Sequence, residues 1–377
     1  MKTLCTILPK LEIAYPLESI AEPNKIAFLD IETTGFFAKS SSVYMIGCIV
    51  KNGEQLVCHQ WFSEKEDEEK ELLEFFLIFI KNYNFLIHFN GNNFDIPFLN
   101  EKIREYNLEN PLKSMGGLDL YRRISPYKNF LKLPNCKQKT LETYLGVDRL
   151  DTLSGKELIG VYEHYKLVPN DNEMGLLLLH NREDIFGMVQ LLPILSYPHL
   201  VNDKICVTKV QANYYTDFQH NTRQEIVMKC KLPVSLPIQV SNYSHGCFFT
   251  GIGTEATIKV PLIHDELKYF YANYKDYYYL PEEDIALHKS VSAYVDKDHR
   301  KQATATTCYT RKESDYLPRW NLSWDSLWEP LFSPVFRKDY ESKDMYFELT
   351  PEMKQNRELF SEYASHILGI IIGLKES

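Results

Sequence analysis

Ile26-Ala-Phe-Leu-Asp-Ile-Glu-Thr-Thr-Gly35 is an apolar run that ends in two acids with one residue between them. Successive strand residues point to opposite faces, so a strand here puts Asp30 and Glu32 on one face. Ile26 to Ile31 can then be buried while both carboxylates emerge at the end. Like charges so close repel by about 1–4 kcal/mol in partly solvated surroundings, which a cation or a proton would relieve. Two readings stand at this level: a metal or acid–base pair, or an exposed strand end before a Thr-Thr-Gly turn.

Upstream, residues before Lys25 read as an extended lead-in broken by Pro9, Pro16 and Pro23. Downstream, Val43 to Val50 and Gln55 to Trp61 are β-type runs joined around Asn52-Gly53, a hairpin signal, so the first three strands are expected to form a meander. The acid run from Ser63 opens a helix with Leu72, Leu73, Phe76 and Ile80 at helical spacing, and its acids suit the helix dipole as a solvated first turn. Phe85 to Asn90 is the next apolar run, and Gly91-Asn-Asn-Phe-Asp95 leads into a helix through Ile103. Asp95 is therefore either a helix-start acid or an inward carboxylate that meets the end of the first strand.

Asp119, in the short strand Gly117-Leu-Asp-Leu-Tyr121, is read as structural. Leu120 to Thr140 carries Arg122, Arg123, Lys128, Lys132, Lys137 and Lys139 with no acid, interleaved with Tyr121, Tyr127 and Phe130. That is either a phosphate track or a solvated basic loop. Lys139 to Gly146 and Ser154 to Tyr165 read as short helices, and Asn172 to Leu195 as a long one. His180 and Asp184 are four apart on the last of these, hence on one face, with Leu177 and Met188 extending an apolar stripe. Burying both without partners would be costly, so they belong to a shared polar site or to a private hydrogen bond.

Taken together, D-x-E on the first strand, a later Asp in Asn90 to Asp95, and a last Asp preceded by His on a late helix resemble the DEDD exonuclease superfamily of ribonuclease H-like enzymes. Leu133-Pro-Asn-Cys-Lys-Gln-Lys-Thr-Leu-Glu142 and Leu179-His-Asn-Arg-Glu-Asp-Ile185 are more closely similar to the YprB-type ribonuclease H-like family. The resemblance covers about residues 20 to 195. It implies an α/β fold, a mixed sheet of about five strands flanked by helices. It also implies a metal-dependent exonuclease acting on DNA or RNA, 3′ to 5′. Carried over, the pattern makes Asp30, Glu32, Asp95 and Asp184 the ligands of two divalent cations, and an all-carboxylate set selects Mg²⁺ or Mn²⁺ over Zn²⁺. His180 would orient or deprotonate the attacking water, and Thr33 and Thr34 stand where relatives hold the terminal nucleotide. In this reading Arg122, Arg123, Lys137 and Lys139 contact the nucleic-acid backbone. One departure is the His four residues before the last Asp, where His-containing relatives have it five before and Tyr-containing ones have Tyr at four.

The chain is 377 residues long, 44% hydrophobic and 25% charged, which suits two ordinary globular domains. We expect a ribonuclease H-like domain over residues 1–196 and a β-rich α+β domain over 197–377. The second half has short alternating runs such as Ile205 to Val210 and Ala256 to Val260, a tyrosine-rich stretch from Lys268 to Leu280, and a helix near Glu352 to Gly369. Those tyrosines suit either a stacking platform for single strands or buried aromatics. Eight cysteines scattered without a C-x-x-C pair argue against a zinc knuckle and against a disulfide framework, and are read as reduced and cytoplasmic. No signal-peptide core or membrane-length apolar run is expected. A net charge of -9 excludes a general polyanion binder, so nucleic acid must meet a local basic groove. The alternative function is a nucleic-acid-binding or scaffold protein on the same fold with little turnover.

Overall fold

The computed structural model describes residues 1–11, 13–151, 153–217, 219–321 and 331–373, in two compact units, Met1–Pro198 and His199–Ser377. The first unit is built on a six-stranded mixed sheet of β1 (Lys2–Ile7), β2 (Ile26–Thr33), β3 (Val43–Asn52), β4 (Gln55–Phe62), β5 (Phe85–His88) and β6 (Gly116–Asp119). Their spatial order is β1-β4-β3-β2-β5-β6; β2, β3 and β4 form the expected antiparallel meander, and β5 and β6 run parallel to β2. Gly53 opens the two-residue loop between β3 and β4 at φ 59°, a left-handed conformation that a side chain would strain. The sheet has one strand more than expected, because β1, read from sequence as an extended lead-in, pairs antiparallel with β4. An edge strand that exposes Thr3, Cys5 and Ile7 carries no strong apolar run, which is why the sequence hid it.

Helices α1 (Glu69–Ile80) and α2 (Asp95–Glu105) bury Leu72, Phe76, Phe98 and Leu99 against Ala27, Leu29, Ile31, Ile46 and Trp61 of the sheet. Further along come α3 (Leu120–Ile124), α4 (Gln138–Leu145), α5 (Gly155–Leu167) and α6 (Asp171–Leu191). On α5 and α6, Leu158, Tyr162, Tyr165 and Leu177 pack with Tyr44, Met45 and Phe62. Ser154 and Glu157 close a capping box on α5, and Gly146 ends α4 at φ 75°. One acid of the supposedly solvated helix start is buried: the Glu69 carboxylate accepts hydrogen bonds from Val43 N (2.7 Å) and Tyr106 Oη (2.8 Å), with Lys102 Nζ at 3.6 Å. Glu69 thus ties the start of α1 to β3 and α2, a long-range role that a local charge run does not reveal.

The second unit has α7 (His199–Asn202), the long strands β7 (Cys206–Thr216), β8 (Thr222–Ser244) and β9 (Cys247–Phe270), then β10 (Tyr277–Leu280), β11 (Ile285–His288), β12 (Lys301–Gln302), β13 (Tyr309–Arg319) and β14 (Met345–Glu348). They form a five-stranded sheet, β14-β13-β9-β8-β7, and a three-stranded one, β11-β10-β12. The short runs read from sequence are segments of these long strands, interrupted in register between Lys231 and Leu236 and between Leu236 and Val240. Helices α8 (Pro351–Gln355) and α9 (Arg357–Ile372) follow, with Asn356 capping α9, and α9 buries Phe360, Tyr363, Ile367 and Leu368. All eight cysteines are free. Among the described residues no helix is long and apolar enough to cross a membrane.

Gly47 lets α6 approach the first sheet. A Cβ there would stand 2.1 Å from Asn181 Oδ1 and 2.3 Å from Ile185 Cδ1. Gly47→Ala should destabilise the protein by roughly 1–3 kcal/mol through overpacking, read as a lower urea midpoint. An unchanged midpoint would mean that α6 can lift off the sheet without loss.

Candidate metal centre

The end of β2, the start of α2 and the middle of α6 meet at one place. Asp30 and Glu32 share the face of β2 turned toward α6, while Ala27, Leu29 and Ile31 face the opposite core. Asp95 is brought in by the loop after β5. There the Asp119 carboxylate accepts from Asn90 N (2.9 Å) and Asn92 N (3.2 Å), fixing the turn, in which Asn90 takes φ 60°. Asp95 then accepts from Ile31 N at 3.2 Å, beyond the last β2–β5 pair, so its carboxylate is moored to the strand that carries the acidic pair.

From α6, Asn181 Nδ2 donates to Asp30 Oδ2 (2.9 Å), and its Oδ1 accepts from Gln60 Nε2 (2.9 Å), which also donates to Leu178 O. Asp30, Gly47 and Gln60 are directly paired across β2, β3 and β4, so this bridge follows a single row of the sheet. His180 is 4% exposed. Its Nδ1 lies 2.7 Å from Asp151 Oδ2, and its Nε2 lies 3.2 Å from Asp184 Oδ2 and 3.7 Å from Glu32 Oε1. Arg149 binds both Asp184 and the buried Glu142, and Gln138 Nε2 donates to Glu142 and to the Asp184 carbonyl. The centre therefore brings together Asp30, Glu32, Asp95, His180 and Asp184.

Burial pushes the Asp30 carboxyl well above the usual range, reinforced by Asp184, Glu32 and Asp95. Glu32 is pushed up to about 8, chiefly by burial, with His180 opposing and Asp184 and Asp95 adding. Asp95 rises to about 7, again chiefly by burial, against the lowering effect of the backbone N–H groups it accepts from. For Asp184 burial is outweighed by His180 and Arg149, and its carboxyl stays below the usual range. Burial lowers the His180 ring, but Asp184, Glu32 and Asp151 outweigh it and hold it at about 9. Without a cation the ring is thus an imidazolium among acids.

One ligand atom from each of Glu32, His180 and Asp184 lies within 4.8 Å of the others, a spacing that a single cation can span. The Tyr44 hydroxyl is buried beside the Glu32 carboxylate, and burial together with that acid's charge raises its pKa. Convergent carboxylate oxygens suit a divalent cation.

The other sequence candidates are placed differently. Thr33 Oγ1 donates to Gly35 O at 2.8 Å and Thr34 Oγ1 accepts from Ser42 N at 2.9 Å, so both hydroxyls are engaged in closing the turn. Arg122, Arg123 and Lys137 are exposed, Arg122 reaching Asn93 Oδ1 at 3.0 Å. Lys139 is exposed as well, its ammonium donating to Asp151 Oδ2 (3.1 Å), the oxygen that also meets His180 Nδ1, and to Leu153 O (2.7 Å). Sequence reasoning missed Gln60, Asn181, Glu142, Arg149 and Asp151. Asn181 and Glu142 lie inside the motifs quoted above; the partners of Asn181, Asp30 and Gln60, are far off in the chain, and those of Glu142, Gln138 and Arg149, are near it but carry no local pattern.

Residues 27–196 match the model of the RNase_H superfamily. The ribonuclease H-like mixed sheet flanked by helices, followed by a β-rich unit with helices, is the fold class expected from the sequence. No curated protein matches the chain. Among solved structures, the family B DNA polymerase of the hyperthermophilic archaeon Pyrobaculum calidifontis is 13% identical, with a TM-score of 0.37 over 71% of this chain and 40% of that one. E. coli Exonuclease I in complex with a dT13 oligonucleotide is 10% identical, with a TM-score of 0.28 over 55% of this chain and 54% of that one. The same enzyme with a 5cy-dA13 oligonucleotide is 8% identical, with a TM-score of 0.31 over 93% and 74%. The chain thus spans about half the length, or less, of the first two.

Asp30, Glu32, Asp95 and His180 all hold protons in the fold that the unfolded chain releases at lower pH. Their stabilisation is complete below the unfolded values and lost as pH rises through the folded ones, whereas that of Asp184, whose carboxyl is lowered, is lost only in acid. In EDTA, thermal stability should therefore fall steadily from about pH 5 to about pH 9. Mn²⁺ at pH 8 should raise the melting temperature more than Mn²⁺ at pH 5, because more of the carboxylates are then ionised. A flat profile in EDTA would contradict this electrostatic picture.

Proposed function

We propose that the first unit is a metal-dependent 3′–5′ exonuclease of the DEDD, YprB-like type, hydrolysing phosphodiester bonds of DNA or RNA. The observation that carries this is the convergence of four carboxylates from β2, α2 and α6, three of them with raised pKa values. Such a set is electrostatically costly in isolation and matched to divalent cations. Asp30, Glu32, Asp95 and Asp184 would hold two Mg²⁺ or Mn²⁺ ions, which when bound supply Lewis-acid activation of the phosphodiester and of water.

The chain's own residues perform the positioning. Asn181 and Gln60 orient Asp30, the Ile31 amide orients Asp95, and Arg149 orients Asp184. Asp151 keeps the proton of His180 on Nδ1, which leaves Nε2 facing Glu32 and Asp184 as the atom that can accept a proton once the carboxylates are neutralised. Exposed Arg122, Arg123 and Lys137 would follow the substrate backbone, and the turn at Thr33 and Thr34 would abut the terminal nucleotide. Lys139, likewise exposed, would join that basic track while its ammonium also holds Asp151. A cytoplasmic setting agrees with eight unpaired cysteines.

Labelled single- and double-stranded DNA and RNA, incubated with Mn²⁺ or Mg²⁺, should be shortened from the 3′ end. Asp30→Asn or Asp184→Asn should abolish hydrolysis; the metal-free Asp30→Asn protein should keep or gain stability, since a repelling charge is removed, whereas Asp184→Asn should lose some, since Arg149 and His180 are left without their charged partner. Hydrolysis surviving in either purified variant would overturn the assignment. His180→Ala should lower turnover by roughly 10²–10⁴-fold with metal affinity nearly kept. Parental turnover in that variant would make His180 a structural partner of Asp184. Neutralising Arg123 and Lys137 together should reduce the salt slope of binding by about two, one for each lost phosphate contact. An unchanged slope would return that stretch to a solvated loop.

A further inference from the structure

The tyrosine-rich stretch lies outside the metal centre, and it borders a cleft of about 740 Å³ within the second unit. The walls are Tyr269, Phe270, Tyr271, Tyr274 and Tyr340, and Arg337 is the one charged residue among the described lining. The rings are set by their neighbours: Tyr269 meets Tyr271 edge to face at 5.1 Å, Phe270 meets Tyr340 at 5.3 Å and 77°, and Tyr271 stacks on Tyr277 at 4.9 Å and 18°. None of the five aromatic walls is fully buried, and Tyr340 is 39% exposed, so ring surface is open to a ligand.

Arg337 is the second and independent observation. Its backbone is fixed in a two-way bridge with Lys268, both hydrogen bonds 2.9 Å long. Its guanidinium, half-buried, donates to Tyr340 O at 3.3 Å and to Met345 Sδ at 3.5 Å, both uncharged acceptors, and among the described residues no carboxylate pairs with it. A partly desolvated guanidinium in that state retains donors for an anion. A cationic ligand is disfavoured by the same charge, and a purely apolar one would leave it unused. An aromatic wall beside an unpaired guanidinium fits a planar base carrying a phosphate. In a chain of net charge -9, such a contact has to be local.

We propose that this cleft binds a nucleotide unit of single-stranded nucleic acid, its base against the tyrosines and its phosphate against Arg337. The proposal stands apart from the exonuclease reading, because it concerns binding by the second unit alone.

The test uses the full chain in EDTA and a fluorescein-labelled oligothymidylate of about ten nucleotides, long enough to occupy one such site. Tyr271→Leu and Tyr340→Leu should each weaken binding by about tenfold, Tyr340→Phe should not, and Arg337→Gln should lower the salt slope by about one. Hydrolysis of the p-nitrophenyl ester of thymidine 5′-monophosphate with Mn²⁺, a reporter that asks nothing of the second unit, should be equal in all variants. Unchanged oligonucleotide affinity and slope in the Leu and Gln variants would overturn the proposal. Competition by thymidine 5′-monophosphate as strong as by the oligonucleotide would overturn it in favour of a free nucleotide. Should a Leu variant lose its thermal transition, photo-crosslinking of a 5-iodouridine oligonucleotide to the parent chain decides. Adducts on Tyr271 or Tyr340 support the cleft, and adducts confined to the first unit refute it.

Discussion

Negative charge confined where water cannot dilute it governs the first unit. Asp30, Glu32, Asp95 and Asp184 each feel at least one of the others, and burial rather than any single neighbour is the largest influence on every one of them. The surrounding architecture manages that charge in two ways. Asp184 is kept ionised by two cations, His180 and Arg149, whereas Asp30, Glu32 and Asp95 lean toward their neutral forms. The centre is thus divided into a settled side on α6 and Arg149, and an unsettled side on β2 and α2, and the unsettled side is where added positive charge has most effect.

How the acids arrive at one place was partly legible in the sequence. The alternation of Ile26 to Glu32 put two acids on one strand face, the four-residue spacing put His180 with Asp184, and the hairpin at Asn52-Gly53 fixed the meander. These are local periodicities, and local periodicity survives in a single sequence. The contacts that hold the site do not. Arg149 sits in a polar stretch with nothing to mark it, and its partners Glu142 and Asp184 lie on two different helices. Glu69 looked like one more solvated acid because its partners, Val43 and Lys102, come from elsewhere in the chain. Strand β1 escaped notice because an edge strand needs only one good side.

The second unit was less legible for a different reason. Its strands β8 and β9 are 23 and 24 residues long, and their burial changes character along the way. Short apolar runs therefore marked only the covered portions. The tyrosines of residues 268–280 were open to two readings, because their rings are half-buried rather than wholly buried or exposed: Tyr279 Oη donates to Asp284, while Tyr271 lines the cleft.

The row Asp30, Gly47, Gln60 has a consequence for assembly. Because these residues face one another across three neighbouring strands, a slip of one position in the β3–β4 hairpin would turn Cys48 toward α6 and drive Gly47 to the opposite core. Asn181 would lose the gap it occupies and Asp30 its donor. The centre is joined from segments as far apart as residues 30 and 184, so it cannot form from any one piece of chain. Cation affinity at this centre would therefore be a property of the correctly registered sheet, and an ion would act as a proofreader that holds only molecules whose strands have paired in the right frame.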